Sequence, residues 1–292
     1  MRVAVYGMKA SKSQKESFER FFRELRKKDI QIFIEEGFAS VLKHKIETLP
    51  ESFGTFKDYN DLPPNLDLFF TFGGDGTILR AVTIIRERKI PVVGVNTGRL
   101  GFLASLNLEF LFNVLDDVLS GNYILSSRSL IAVEADGVNI DCPFALNEIS
   151  VTRRKTTSMI TVNAYIDGEF LNAYWADGLI VATPTGSTGY SLSCGGPIVH
   201  PRNQVFIFTA ISPHNLNVRP YIIPDDVTIE LEVNSREAEY LISMDSRNEP
   251  LPSNVRLRLR KADFQIKFVI PKEITYLLTL REKMYWGSDK RN

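Results

Sequence analysis

At 292 residues the chain is long enough for two domains or one large one, and 44% hydrophobic with 24% charged residues is an ordinary globular balance. Lys+Arg and Asp+Glu each number 35, and this zero net charge argues against a general nucleic-acid or anionic-membrane binder. Cys142 and Cys194 imply no disulfide framework, and with three scattered histidines they make no zinc pattern. Met1 to Tyr6 reads as a strand instead of a leader, and no apolar run approaches the ~20 residues that cross a bilayer. A cytoplasmic protein with neither membrane nor nucleic acid as partner is expected.

Strand and helix alternate over the first part of the chain. Val3 to Tyr6 is a short strand, and Phe18, Phe21, Phe22 and Leu25 predict an amphipathic helix ending in Arg26-Lys27-Lys28. Ile30 to Ile34 is the next strand, followed by a polar connection. Then come an apolar strand from Leu66 to Phe72, a helix from near Ile78 to Arg88 and a strand from Pro91 to Val95. A glycine-bearing loop, Asn96 to Gly101, leads to a helix over Phe110 to Leu119. This rhythm predicts an α/β N-terminal domain over 1–125, with an open, mainly parallel sheet covered by helices.

From about Ser126 the pattern becomes strands. Val227, Ile229, Leu231 and Val233 alternate with polar residues, as do Val255, Leu257 and Leu259, and then Phe264, Ile266, Phe268 and Ile270. Asp167-Gly168 predicts a hairpin turn between Ile160-Thr161-Val162 and Phe170-Leu171. Arg256, Arg258 and Arg260 share one strand face with glutamates on a neighbouring strand, which reads as a cross-strand charge ladder and not as a nucleic-acid surface. An all-β C-terminal domain over 126–272 is expected, with 273–292 as a closing segment that packs back on the first domain.

Two motifs carry chemistry. Gly73-Gly74-Asp75-Gly76-Thr77 joins the Leu66 to Phe72 strand to its helix. Glycine tolerates positive φ and close ligand approach, and the free N–H groups of a helix start favour a phosphate. A carboxylate there would repel phosphate. Asp75 is therefore either an N-terminal cap or a base that takes a proton from an attacking hydroxyl. The P-loop and G-x-G-x-x-G patterns both fail on the letters. The second motif runs from Asp177 through Ile198: a buried strand, then six hydroxyls in the nine residues Thr183 to Ser191. Such a loop offers hydrogen bonds to a polar ligand, and the Tyr190 ring offers a flat face for a base.

Gly-Gly-Asp-Gly-Thr resembles a phosphotransferase superfamily that includes NAD kinases, lipid kinases and 6-phosphofructokinases. Together with Asn147-Glu148 and the Asp177 to Ser193 run, the chain resembles the NAD kinase family specifically. The likeness extends from Gly73 to about Pro220, including Asn96 to Leu103 and Pro213 to Leu216, with Gly189 standing where alanine is usual.

The resemblance implies a two-domain NAD kinase/diacylglycerol kinase-like architecture that transfers the γ-phosphate of ATP to the 2′-hydroxyl of the adenosine ribose of NAD. It implies Asp75 as general base and Gly73, Gly74, Gly76 and Thr77 as phosphate cradle, with Arg80 in reach. Asn147 and Glu148 would contact ribose and base, and Asp177 would accept from an exocyclic amino or carboxamide group. Thr185, Thr188, Gly189, Tyr190, Ser191, Leu192 and Ser193 would line the NAD pocket. Mg2+ or another divalent cation would arrive with ATP, without a dedicated protein metal site. A homodimer or homotetramer is implied, with the site built between domains. A lipid kinase or a non-catalytic dinucleotide sensor is the alternative.

Overall fold

The computed structural model describes all residues except 47–48, 50–51, 99–100, 105, 155–157 and 288–292, so Arg99 and Leu100 of the glycine-bearing loop lie outside the described residues. The chain forms two compact units, one of Met1–Ser127 with Ile266–Asn292 and the other of Arg128–Gln265.

The first unit begins β1 (Arg2–Gly7), α1 (Lys15–Lys27), β2 (Gln31–Glu35), α2 (Glu36–Lys43) and β3 (Gly54–Phe56). It continues β4 (Leu68–Phe72), α3 (Asp75–Ile85), β5 (Val92–Asn96), β6 (Leu106–Asn107) and α4 (Leu108–Ser120). The strands are parallel in the order β5-β4-β1-β2-β3, as the strand–helix alternation predicts. Every residue of β4 is buried, because helices cover both sheet faces. Leu68, Phe70 and Phe72 share one core with α1, α2 and α4. α3 covers the opposite face, where Ile78 sits so close to Gly94 of β5 that a side chain there would crowd it.

Two elements fall within what reads as a polar connection. α2 follows β2 without a loop, and its N-cap is Glu35, whose carboxylate accepts from the N–H groups of Gly37 (3.0 Å) and Phe38 (2.7 Å). β3 is three residues long and buries only Phe56. The helix expected from near Ile78 begins earlier, at Asp75.

The second unit holds β7 (Ile124–Ala135, which starts in the first), β8 (Phe144–Ala145), β9 (Glu148–Arg153), β10 (Ile160–Ile166), β11 (Glu169–Ala176) and β12 (Gly178–Ala182). One helical turn, α5 (Tyr190–Ser193), precedes β13 (Val205–Ile211), β14 (Tyr221–Pro224), β15 (Ile229–Asn234), β16 (Glu239–Met244), β17 (Arg247–Pro252) and β18 (Leu257–Ile270). An antiparallel sheet runs β14-β13-β12-β9-β16-β17, and β11-β10-β15-β18 form a second layer. Their inner faces share one core around Val151, Leu179, Val181, Leu231 and Tyr240. Asp167 and Gly168 both have positive φ, 50° and 83°, and turn the β10–β11 hairpin. The arginine ladder forms: Arg256 and Arg258 reach Glu230, and Arg258 and Arg260 reach Glu134.

β18 is one continuous strand where the sequence reads as two runs; from Ile266 on it belongs to the first unit, and there Phe268 pairs in parallel with Val92 of β5. α6 (Tyr276–Met284) follows, capped by the Thr275 hydroxyl, which accepts from the Leu278 N–H at 3.1 Å.

The first core turns on aromatic contacts. Phe72 meets Phe18 at 5.1 Å, Phe21 at 5.0 Å and Phe38 at 6.4 Å between ring centroids. Phe72→Ala is expected to destabilise the chain by about 3–5 kcal/mol in urea titration, and a loss near zero would contradict this packing.

Candidate active site

The turn from β4 into α3 is built by smallness, not by left-handed backbone, since Gly73, Gly74 and Gly76 are absent from the positive-φ residues. The Gly73 N–H donates to the Val95 carbonyl at 2.9 Å, and a side chain on Gly73 would collide with Thr77. The Thr77 hydroxyl is thus packed against the turn and buried, whereas Gly74 and Gly76 face open space. A phosphate would meet backbone N–H groups there rather than the threonine hydroxyl. Arg80, one turn into α3, is exposed.

Asp75 does not cap its own helix. Its Oδ2 accepts from the Phe102 N–H at 2.8 Å, and its Oδ1 from the Leu103 and Ala104 N–H groups, both at 3.1 Å. Any Cβ on Gly101 would strike this carboxylate, so only glycine allows the backbone to come so near. A carboxylate offers about four lone-pair sites, and N–H groups of the described residues fill three, so among these residues one stays open to an incoming hydroxyl. The sequence places Gly101 to Leu103 inside a motif but gives them no task.

In the second unit, Asn147 and Glu148 lie at the start of β9, and the loop after β12 folds against them. The Thr183 N–H donates to the Asn147 carbonyl at 2.8 Å, and the Thr183 hydroxyl donates to the Leu146 carbonyl at 2.6 Å. Gly186 comes so close to the Asn147 carbonyl that no side chain fits. The hydroxyls largely serve the loop itself. Ser187 bonds Pro184 and Val199, Thr188 donates to the Thr185 carbonyl at 3.3 Å, and Ser191 pairs with Thr209 at 2.8 Å. Thr185, Ser187 and Ser191 are buried. The Ser191 side chain in particular ties the loop to β13. Tyr190 is 45% exposed, and Ser193 is exposed beside the half-buried Leu192.

What the loop leaves open are two acceptors. Asn147 Oδ1 and Glu148 Oε2 are buried and have no hydrogen-bond partner. Buried unpaired polar atoms are costly, and hydrogen-bond donors from a ligand or from water would relieve them. Burial pushes the Glu148 carboxyl up to about 8, the Asp245 charge pushes the same way, and the Tyr190 N–H pulls back. Gly189 gains a reason here: an alanine methyl would sit 2.9 Å from Glu148 Oε2 and 3.4 Å from Asn147 Nδ2. Its absence makes room at the acceptors. Asp177 gives one oxygen, Oδ2, to Arg153 Nη2 at 3.0 Å. His214, which follows Pro213, lies tilted against Trp175 with ring centroids 4.2 Å apart.

Among the described residues no three His, Cys, Asp or Glu side chains converge to hold a metal, and the cradle at α3 offers N–H donors, which suit an anion. No helix among them is long and apolar enough to cross a membrane.

Family profiles match over most of the chain: the ATP-NAD kinase N-terminal domain over residues 7–123 and the ATP-NAD kinase C-terminal domain over residues 146–270. An NAD kinase of Cytophaga hutchinsonii is 52% identical over 92% of each chain, and one of Flavobacterium psychrophilum is 44% identical over the full length of both. Yeast NADH kinase, solved with NADH, superposes with a TM-score of 0.89 at 25% identity, over 99% of this chain and 88% of that one. An Archaeoglobus fulgidus NAD kinase solved with ATP gives 0.75 at 26% identity, over 98% and 99%. With both domain profiles matched in order and full-length relatives well above 30% identical, the chain belongs to the ATP-NAD kinase family of phosphotransferases.

Proposed function

We infer that this NAD kinase uses Asp75 as the general base toward the 2′-hydroxyl of the adenosine ribose of NAD, with ATP as phosphoryl donor. The observation that carries this reading is the grip on Asp75 by three N–H groups, which fixes the carboxylate and leaves it one accepting direction.

Phosphoryl transfer needs alignment and charge neutralisation more than covalent chemistry. A carboxylate is a far weaker base than a ribose alkoxide, so Asp75 does not ionise the hydroxyl in advance. It orients the hydroxyl first. It takes the proton late, as the new P–O bond forms and the bond between the γ- and β-phosphates of ATP breaks. Gly74 and Gly76 offer backbone N–H groups to phosphate, and Arg80 adds a mobile positive charge. ATP enters as its Mg2+ complex, because this ion keeps most of its water and binds chiefly to phosphates.

In the second unit, the unpartnered Asn147 Oδ1 and Glu148 Oε2 receive donors of the adenosine ribose and base. Asp177 accepts through the oxygen that Arg153 leaves open, Tyr190 stacks on the adenine, and Thr185, Thr188, Gly189, Leu192 and Ser193 complete the wall. A cytoplasmic setting belongs to the same reading, and it is supported by neither cysteine forming a disulfide among the described residues. Exposed Trp175, Tyr221 and Ile222, on β11 and β14, support a homodimer or homotetramer assembled through this unit.

Asp75→Asn is expected to lower kcat by roughly 10²–10⁴ with a modest change in KM for NAD. Gly101→Ala, which leaves Asp75 in place but displaces its holder, should lower kcat by ~10-fold or more. A coupled NADP-specific dehydrogenase assay reads both, and wild-type rates in either variant would remove Asp75 as base. Tyr190→Ala should weaken NAD binding by about 1–3 kcal/mol in calorimetry, whereas unchanged binding would take the ring out of the pocket. Light scattering should give the mass of a dimer or tetramer, reduced by Trp175→Asp. A monomeric wild type with full activity would end the assembly reading.

A further inference from the structure

Asp245 lies in the turn between β16 and β17 with a φ of 55°, a conformation that aspartate tolerates better than most residues. Its Oδ2 accepts from the Leu146 N–H at 3.0 Å, and its Oδ1 from the N–H groups of Asn147 at 2.7 Å and Glu148 at 3.3 Å. Its own N–H donates to the Glu148 carbonyl at 3.0 Å, and the Ser243 hydroxyl donates to its carbonyl at 3.1 Å. Two residues on, Arg247 donates to the carbonyls of Cys142, at 2.5 Å, and Phe144. One hairpin turn therefore grips the whole approach to β9.

That approach carries the two buried acceptors without partners, Asn147 Oδ1 and Glu148 Oε2. We propose that Asp245 is a positioning residue for NAD: it fixes the backbone that presents Asn147 and Glu148, and its charge governs the protonation state in which Glu148 meets the ligand. This rests on the reading of Asn147 and Glu148 as NAD contacts.

The groups that face Glu148 make the second half of the argument. From α5 come the Tyr190 N–H and phenol, and just after it the Cys194 thiol; from the β16–β17 turn comes Asp245. Burial pushes Tyr190 and Cys194 up, so both stay neutral near pH 7 and Asp245 supplies the charge. Burial raises Asp245 too, but its three N–H donors and the nearby Arg247 favour its ionised form. Glu148 receives the Tyr190 N–H alone, so of the two carboxyls Glu148 holds the proton. A protonated Glu148 presents an O–H donor as well as an acceptor, which a ribose or a ring nitrogen can use.

The experiment measures KM for NAD and kcat from acid to alkaline pH for wild type, Asp245→Asn, Asp245→Glu, Glu148→Gln and the Asp245→Asn/Glu148→Gln double variant. Asp245→Asn should raise KM by ~10-fold or more with kcat within ~3-fold, the split expected when binding geometry alone is lost. In wild type the KM profile should turn near pH 8, the range in which Glu148 titrates. Removing the Asp245 charge should move that midpoint to lower pH, and the shift should vanish in the Glu148→Gln background. Asp245→Glu keeps the charge but cannot seat the three N–H groups, so it should raise KM with the midpoint unmoved. It also carries the test if Asp245→Asn fails to fold by circular dichroism. Unchanged KM in both Asp245 variants, or a raised KM with an unmoved midpoint in Asp245→Asn, overturns the proposal and leaves Asp245 a turn residue. An NAD KM indifferent to Glu148→Gln overturns instead the assignment of Glu148 as an NAD contact, and the proposal with it.

Discussion

Both units depend on the same device, an aspartate carboxylate that collects three successive backbone N–H groups from a distant stretch of chain. Asp75 holds Phe102, Leu103 and Ala104; Asp245 holds Leu146, Asn147 and Glu148. Hydrogen bonds to an ionised acceptor are stronger than neutral ones, and a run of consecutive N–H groups has no regular strand or helix partner of its own. Each carboxylate thereby turns an irregular segment into a fixed one. In the first unit the segment holds the carboxylate that is proposed as the base. In the second the relation is reversed, because the carboxylate holds the segment that carries the proposed NAD contacts Asn147 and Glu148.

The surrounding elements exist to bring these partners together. β4 is buried on both faces, so its direction is settled by packing, and the chain leaves it through residues too small to obstruct a ligand. β9 and β12 pair in antiparallel register, with Ala182 opposite Glu148, which delivers the loop after β12 onto Asn147. The external charges contribute less. The arginine–glutamate ladder on β15, β18 and β7 is partly exposed, and such pairs are worth ~0–1 kcal/mol each.

Much of this was legible in the letters. The apolar run before Gly73 and the three-to-four spacing after Ile78 specify a strand and a helix, and Asp167-Gly168 specifies a hairpin. Those signals are local. α2 escaped because its cap is a glutamate and its apolar face is only Phe38, Ala39 and Leu42. β3 escaped because three residues cannot display a period. Asp245 looks like any turn aspartate, and its partners lie 97 to 99 positions upstream. The tasks of Gly101 to Ala104 were hidden for the same reason, since their acceptor lies 27 to 29 positions before them. Hydroxyl density does not say whether a hydroxyl bonds inward or outward, and the inward bonds of Ser187, Thr188 and Ser191 could not be read from composition.

That inward bonding has a consequence for recognition. The Thr183 to Ser191 segment carries its own acceptors and donors and is closed upon itself through Leu146, Val199 and Thr209. A segment so satisfied is already ordered before a ligand arrives, so association loses little conformational entropy there. Discrimination among ligands then falls to the few atoms left unsatisfied. On the proposed reading a dinucleotide would be sorted by a small number of rigid carbonyl and carboxyl oxygens, and a candidate that cannot supply donors to them would leave a dry, unpaired acceptor as its penalty.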